Sequence, residues 1–329
     1  MTRAAIWLLT AGALLFIGVL ASQGLSAVFA TLALAGWGLL WVALFHMLPL
    51  VLDAAAIQVL FDAGKGFKDA VLVRWIGEAA NSLMPAGQLG GPALMIRQLS
   101  QRGMPIESSV AAITVSTTLQ TLAQVVFALL GLGLLGVRAG HNVQHLRAPL
   151  LIASVVLAVP MVSFYLLQRR GLFGKMLRAA TRFSGKQEWL RLMSRAEAID
   201  TALERTYSRR GRAAASFGWS LLGWIAGTGE VYLILHLLGN AVSWSDALVL
   251  ESLGQAIRGA AFAIPGSLGV QEGGYLLLAP LAGLTPQVAL ALSLAKRARE
   301  VLLAIPALMC LHLSERLWRR RVACAPAGE

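Results

Sequence analysis

The sequence predicts an all-α integral membrane protein, with about six full transmembrane helices and two re-entrant helical hairpins arranged as an inverted repeat. Three observations carry this expectation. Hydrophobic residues make up 57% of the chain and charged residues 13%, with a mean hydropathy of +0.69, which is too apolar for the polar surface that a soluble domain of 329 residues requires. Several windows stay apolar for roughly 20 residues, the length a helix needs to cross about 30 Å of hydrocarbon. Finally, two stretches break up in the same way: a polar helical run, a Pro/Gly-rich break, an apolar run, and a proline opening a further hydrophobic segment.

Hydropathy places crossings near residues 4 to 22, 26 to 52, 106 to 136, 148 to 167, 213 to 239 and 286 to 313. Residues 1 to 22 imitate a signal peptide, with Arg3, an apolar run and a small-residue finish at Ala21-Ser22. They are expected to stay as a signal-anchor span, because the parity of the topology needs this crossing. The first interrupted stretch runs from Arg74 through Met84-Pro85-Ala86-Gly87-Gln88-Leu89-Gly90-Gly91 to Gly103-Met104-Pro105. The second runs from Glu251 through Ile264-Pro265-Gly266-Ser267-Leu268-Gly269 to Gly283-Leu284-Thr285-Pro286. Paired, interrupted hydrophobic segments mark transporter-like inverted repeats, with the ligand site between the two breaks. The chain therefore reads as a single polytopic membrane domain over 1 to 329. Repeat one covers about 26 to 136, repeat two about 213 to 313, and a basic segment at 168 to 212 lies between them.

Charge sets the expected orientation. The net charge is +12, and much of it lies between Arg169 and Arg212, opposed there only by Glu188, Glu197, Asp200 and Glu204. The positive-inside rule makes this segment cytoplasmic, and with it Arg3, Lys65, Lys68 and the run Arg316, Arg319, Arg320 and Arg321. Both termini are then cytoplasmic. The first interrupted segment enters from the cytoplasm, and the second, after the weakly charged loop from Gly239 to Ser245, enters from outside. The basic segment also carries Leu172, Phe173, Met176, Leu177, Trp189 and Leu190, so it reads either as an amphipathic helix on anionic headgroups or as a solvated loop. Nucleic acid is excluded as a partner, since no aromatic-basic platform or helix-turn-helix context accompanies the charge.

Candidate cavity residues follow from spacing. Arg74, Glu78 and Asn81 fall at i, i+4 and i+7, so one helical face carries a cation, an anion and an amide; Glu251, Gln255 and Arg258 repeat that spacing with the charges reversed. These groups either anchor the hairpins at headgroup level or line a wet cavity, the setting in which non-helical backbone survives at membrane depth. The breaks are set by Pro85 and Pro265, which lack a backbone donor, and by Gly87, Gly90, Gly91, Gly266 and Gly269, which permit turns. Half-helices ending there aim their dipoles at an anionic or strongly polar headgroup, with Gln88, Gln271 and Glu272 at the turns as polar contacts. Lys296, Arg297, Arg299 and Glu300 lie near the middle of the last hydrophobic run. At roughly 2.5 to 3.5 kcal/mol per charge at a helix centre they must face protein, water or an anion. The alternative is two shorter segments with the charges in a loop between Leu294 and Val301. At the matching depth of the first repeat stand Thr114, Ser116, Thr117, Thr118, Gln120 and Thr121, a supply of hydrogen bonds. Glu230 and Asp53 are candidate partners for the cations.

Enzyme signatures are missing. Gly64-Lys65, Gly174-Lys175 and Gly185-Lys186 lack the remainder of a phosphate-binding loop, and there is no His-Glu-x-x-His or Gly-x-Ser-x-Gly motif. His141 and His145 lack a third ligand, His46, His236 and His312 read as packing histidines on apolar helices, and Cys310 and Cys324 suggest neither a disulfide nor a metal site. No cofactor and no metal are expected.

Taken together, Ala35-Gly36-Trp37-Gly38-Leu39-Leu40, Phe45-His46-Met47-Leu48-Pro49, Arg74-Trp75-Ile76-Gly77-Glu78-Ala79-Ala80-Asn81-Ser82-Leu83-Met84-Pro85, Leu250-Glu251-Ser252-Leu253-Gly254-Gln255, the stretch from Ile264 to Gly274, and Ser293-Leu294-Ala295-Lys296-Arg297 resemble hopanoid-biosynthesis-associated membrane proteins. Those are one branch of a flippase-like group that includes the membrane domain of lysylphosphatidylglycerol synthases. The resemblance covers nearly the whole chain except 168 to 212. It implies transport of a lipid, hopanoid or a related polar lipid, between leaflets or out of a bacterial inner membrane. Pro92 stands where members of the wider group often carry an acidic residue, so no carboxylate role transfers there. No aminoacyl-transferase domain follows, so lysyl-lipid synthesis is expected to be absent. The expected function is a lipid translocator. An intramembrane lipid-modifying enzyme and a non-catalytic scaffold for hopanoid synthesis are the alternatives.

Overall fold

The computed structural model describes residues 33–61, 66–83, 90–138, 188–261 and 267–324, together with the isolated positions 30, 148, 152, 155, 158, 159, 162, 163, 166 and 264. The crossings expected near 4 to 22 and 148 to 167 fall on or largely on residues outside this set, as do Pro85, Gly87, Gln88, Pro265 and Gly266 and the loop histidines His141 and His145.

All regular structure among the described residues is helical. Among the described residues four helices are long and apolar enough to cross a membrane: Gly38–Gln58, Ile106–Val137, Arg210–Leu237 and Pro286–Trp318. The first, α1 (Gly38–Gln58), corrects the crossing expected near 26 to 52. A turn at Gly36, whose φ of 45° lies in the left-handed region, interrupts the helical backbone there, and the membrane-length helix begins after it and runs past residue 52. Then follow α2 (Phe67–Leu83), α3 (Gly90–Gln101) and the long α4 (Ile106–Arg138), opened by Pro105. The second half repeats the order after α5 (Glu188–Ser208) and α6 (Arg210–Leu237). There α7 (Trp244–Ala260), α8 (Val270–Leu278) and a 3-10 turn (Ala279–Ala282) lead to α9 (Pro286–Cys324), with proline again at the start, where a missing N–H costs no hydrogen bond. The start of α7 is fixed by a capping box between Ser243 and Asp246.

The run containing Lys296 to Glu300 lies inside the single helix α9, so the alternative of two short segments joined by a loop is overturned. The basic segment is resolved as a helix from Glu188 onward, which packs on α4, and its Leu203 and Tyr207 are buried in the adjoining apolar core. This part of it is docked on the bundle and is neither a solvated loop nor a helix with its apolar face wholly on lipid.

Packing exchanges partners between the halves. Helix α2 lies on α9, and α7 lies on α4. Trp75 of α2 donates its indole N–H to the Leu303 carbonyl of α9 at 3.0 Å, and Gln124 of α4 donates to the Gln255 carbonyl of α7 at 2.7 Å. Each half thus completes the other through a short helix placed on the opposite long one. Two apolar cores bracket the centre. One joins Ile57, Val73, Leu99, Ile113 and Leu203, and the other joins Val42, Ile234, Leu250, Leu278 and Leu292. Outward, α1 presents Leu40, Trp41, Leu44 and Leu48, and α9 presents Ile305, Met309 and Leu313. Such large exposed apolar faces belong against lipid tails.

The α2/α3 pair is held at its break by close backbone approach. The Gly91 N–H donates to Asn81 Oδ1 at 2.9 Å, so the end of α2 caps the start of α3. A Cβ on Gly91 would come within 2.5 Å of the Gly77 carbonyl. Gly91→Ala must therefore force the two helices apart, at about 1–3 kcal/mol for overpacking. The expected result is a lowered thermal midpoint in detergent, while Gly133→Ala, which meets nothing within 4 Å, leaves the midpoint unchanged or raises it.

Candidate functional site

Midway along the long helices the apolar pattern gives way to polar faces, and these converge on one cavity of about 210 Å³. Helix α1 contributes His46, Pro49, Leu50 and Asp53, and α4 contributes Thr117, Gln120, Thr121 and Gln124, the same spacing of i, i+3, i+4 and i+7. Helix α2 contributes Arg74, Glu78, Asn81 and Ser82, and α7 contributes Glu251, Gln255, Arg258 and Gly259, at i, i+4, i+7 and i+8 in both. Each set is one face of a helix. Gly223, Trp224, Gly227 and Glu230 of α6, Arg299 and Glu300 of α9, Pro92 and Met95 of α3, and Ile264 and Ser267 after α7 close the remaining walls. Pro49 withholds the donor that the Phe45 carbonyl would otherwise receive, which loosens α1 beside the cavity.

The charges are paired, mostly between elements. Arg74 donates to Asp53 at 2.6 Å, and Gln120 donates to the same carboxylate oxygen at 2.6 Å. Arg258 donates to Glu300 at 2.7 Å. Arg299 reaches Glu230 at 3.0 and 3.2 Å and Glu78 at 3.3 Å. His46 lies between the same two carboxylates, with Nδ1 2.5 Å from Glu230 and Nε2 2.8 Å from Glu78. Lys296, 1% exposed, donates to Glu251 at 2.5 Å, and that carboxylate also accepts from Gln255 and Tyr275. Arg297 donates to both oxygens of Glu272 at 2.7 and 3.2 Å.

All six members of the two spaced triads border the cavity, together with Arg299 and Glu300. Lys296, Arg297, Gln271 and Glu272 do not, which corrects their expected place in the lining. Lys296 is drawn to Glu251, leaving the cavity face of α9 to Arg299 and Glu300. Glu272 turns back to cap α8, accepting the N–H of Gly269 at 2.8 Å, where a φ of 78° favours glycine. It also accepts from Ser293, which in turn accepts from Gln271. These four residues form a buried wall behind the cavity. Gly90 and Gly91 stand at the start of α3, and Gly269 stands just before α8.

Of the two carboxylates offered as partners, Glu230 does pair with a cation of the α9 cluster, whereas Asp53 pairs with Arg74. The sequence alone suggests a packing role for His46, and the structure places it in the ion network instead. The available signal was its position seven residues before Asp53 on a helix interrupted by Pro49, a polar stripe on one face of an apolar span.

Membrane-length helices around a paired, charged cavity define the class: a multi-pass membrane protein with a polar site enclosed by its helices. The family model for the lysylphosphatidylglycerol synthase TM region matches residues 5–307, and the chain belongs to that family. Membership ties it to a membrane-lipid-related function. No curated protein and no solved structure matches the chain.

The Lys296–Glu251 pair gives a direct test of the wall. Removing one member of a buried pair strands the other charge and costs about 3–5 kcal/mol. Lys296→Ala is expected to show that loss in denaturant titrations in micelles, while Lys296→Met combined with Glu251→Gln recovers most of it.

Proposed function

We propose that this protein is a lipid translocator of a bacterial inner membrane, carrying a polar headgroup through the central cavity while the lipid tails stay in the bilayer. The single observation that carries this reading is the convergence of mid-helix polar faces from all four membrane-length helices on one site. Charges at that depth are costly and are retained where a pathway uses them. A cavity of about 210 Å³ has room for a headgroup or several waters, at roughly 30 Å³ per water, and not for a hydrocarbon tail.

The cross-packed halves supply the moving parts. In the proposed cycle α2/α3 and α7/α8 are re-entrant hairpins inserted from opposite sides, and rocking of one half against the other exposes the cavity to one leaflet at a time. Both termini lie in the cytoplasm in this arrangement. Asn81, Gln120, Gln124 and Gln255 offer neutral hydrogen bonds to a headgroup, and Arg258 and Arg299 hold its acidic groups by exchanging carboxylate partners. The sequence resemblance points to hopanoid or a related polar lipid as cargo. No chemical step is assigned to the carboxylates.

Reconstitution tests this reading. Leaflet exchange of tail-labelled lipid is expected to fall at least about tenfold in Arg258→Ala, a loss of about 1.4 kcal/mol of stabilisation or more. It should stay unchanged in Leu130→Ala, on the exposed apolar face of α4. Chromatography of the same lipid after incubation should show no new species. A modified lipid would make the protein an enzyme, and undiminished exchange in Arg258→Ala would remove the cavity from the pathway.

A further inference from the structure

We propose that His46, Glu78 and Glu230 form a proton-binding site, and that the proton held there crosses the membrane with each transport cycle. The coupling part rests on the translocator reading; the site itself does not.

The geometry starts from the imidazole. Both ring nitrogens of His46 face carboxylate oxygens, Glu230 through Nδ1 at 2.5 Å and Glu78 through Nε2 at 2.8 Å. A neutral imidazole has one donor and one acceptor, and an ionised carboxylate only accepts. With His46 neutral and both glutamates ionised, one of these close contacts sets acceptor against acceptor. One proton beyond that state, carried on the ring as imidazolium so that both N–H groups donate, satisfies both contacts. Charge leads to the same count. The network holds the carboxylates Asp53, Glu78, Glu230, Glu251, Glu272 and Glu300 against Arg74, Arg258, Lys296, Arg297 and Arg299. Among these described residues one negative charge is left over, and an uncompensated charge in a buried site is expensive. A proton shared at His46 neutralises the set.

The site has access and a second arrangement. Glu78, with 23% of its side chain exposed, borders the cavity, while Glu230 is 2% exposed. A proton from cavity water binds Glu78 Oε1 and passes to His46 Nε2, whose Nδ1–H donates to Glu230; release runs the same transfers in reverse. The facing charged groups are Glu78 on α2, Glu230 on α6 and Arg299 on α9, with Asp53 on the same helix as His46 and paired to Arg74. Arg299 Nη1 lies 3.1 Å from His46 Nε2 and 3.3 Å from Glu78. When the proton leaves, Nε2 becomes an acceptor for Arg299, and the contact from His46 to Glu78 is lost. The proton thus decides whether α1 is clamped to α2, which belongs to one of the hairpins that must move.

Two measurements test this on the full chain. In lipid nanodiscs with nitrogen-15 histidine, one ring should carry protons on both nitrogens at neutral pH, and this signal should vanish in His46→Gln. A His46 ring with a bare Nε2 at every pH between about 6 and 8 would overturn the site. In vesicles of phosphatidylcholine and phosphatidylglycerol holding tail-labelled phosphatidylglycerol, a pH difference of one unit corresponds to about a tenfold ratio of proton activity. One proton per cycle should then drive the label toward a tenfold leaflet asymmetry, collapsed by a protonophore and absent in His46→Gln. Even labelling by an exchanging wild-type protein would overturn the coupling. A wild-type protein that moves no label would instead count against the translocator reading and leave the proton site to the nitrogen spectrum.

Discussion

The structure depends on neutralising charge inside a bundle whose outer surface is apolar. Arg299 is the centre of that constraint. It is 4% exposed, sits near the middle of a helix long enough to span the bilayer, and reaches Glu230 and Glu78 on two other helices. A guanidinium there is tolerable only with its partners in place, since losing one leaves a buried charge uncompensated. The pairing therefore fixes the relative positions of α2, α6 and α9. The same requirement, met by Lys296 with Glu251 and by Arg258 with Glu300, fixes α7 against α9. The two apolar cores on either side supply the general adhesion, and the ion pairs supply the register.

The repetition of spacing explains how one cavity arises from two halves. A polar stripe at i, i+4, i+7 and i+8 on a short helix is laid on the opposite long helix, so that α2 brings Glu78 to Arg299 of the other half and α7 brings its Gln255 carbonyl to Gln124. The polar stripes of α1 and α4 then close the site with amides, hydroxyls and one imidazole. Because the partners are exchanged, a change in either half alters the walls of both.

Much of this was legible in the sequence. Composition and hydropathy gave the helical membrane class, and the four long helices lie within or close to the expected crossings. The i, i+4 and i+7 spacing places each triad on one helix face, and bordering a cavity is one of the two settings which that spacing leaves open. What escaped was long-range. His46 on its own resembles any packing histidine, and its partners lie 32 and 184 residues away. The places of Lys296, Arg297, Gln271 and Glu272 were misjudged for a related reason. Spacing reports which face of a helix a residue occupies, but whether that face meets a cavity or a carboxylate depends on a neighbour chosen by the fold. The start of α1 was hidden by Gly36 and Trp37, a turn set in an apolar run that hydropathy averages over.

The exchanged packing has a consequence for biosynthesis. Glu78 and Arg299 are separated by 221 residues. At about 5–20 residues per second, the carboxylate leaves the ribosome roughly ten to forty seconds before its guanidinium partner exists. Until then α2 has no α9 to lie on, and its ionic face is better kept in water or in the shelter of an insertase than in lipid. Of the two short helices only α2 waits in this way, since α7 lies on α4, which is already made, and the end of synthesis supplies the surface on which the first half takes its seat.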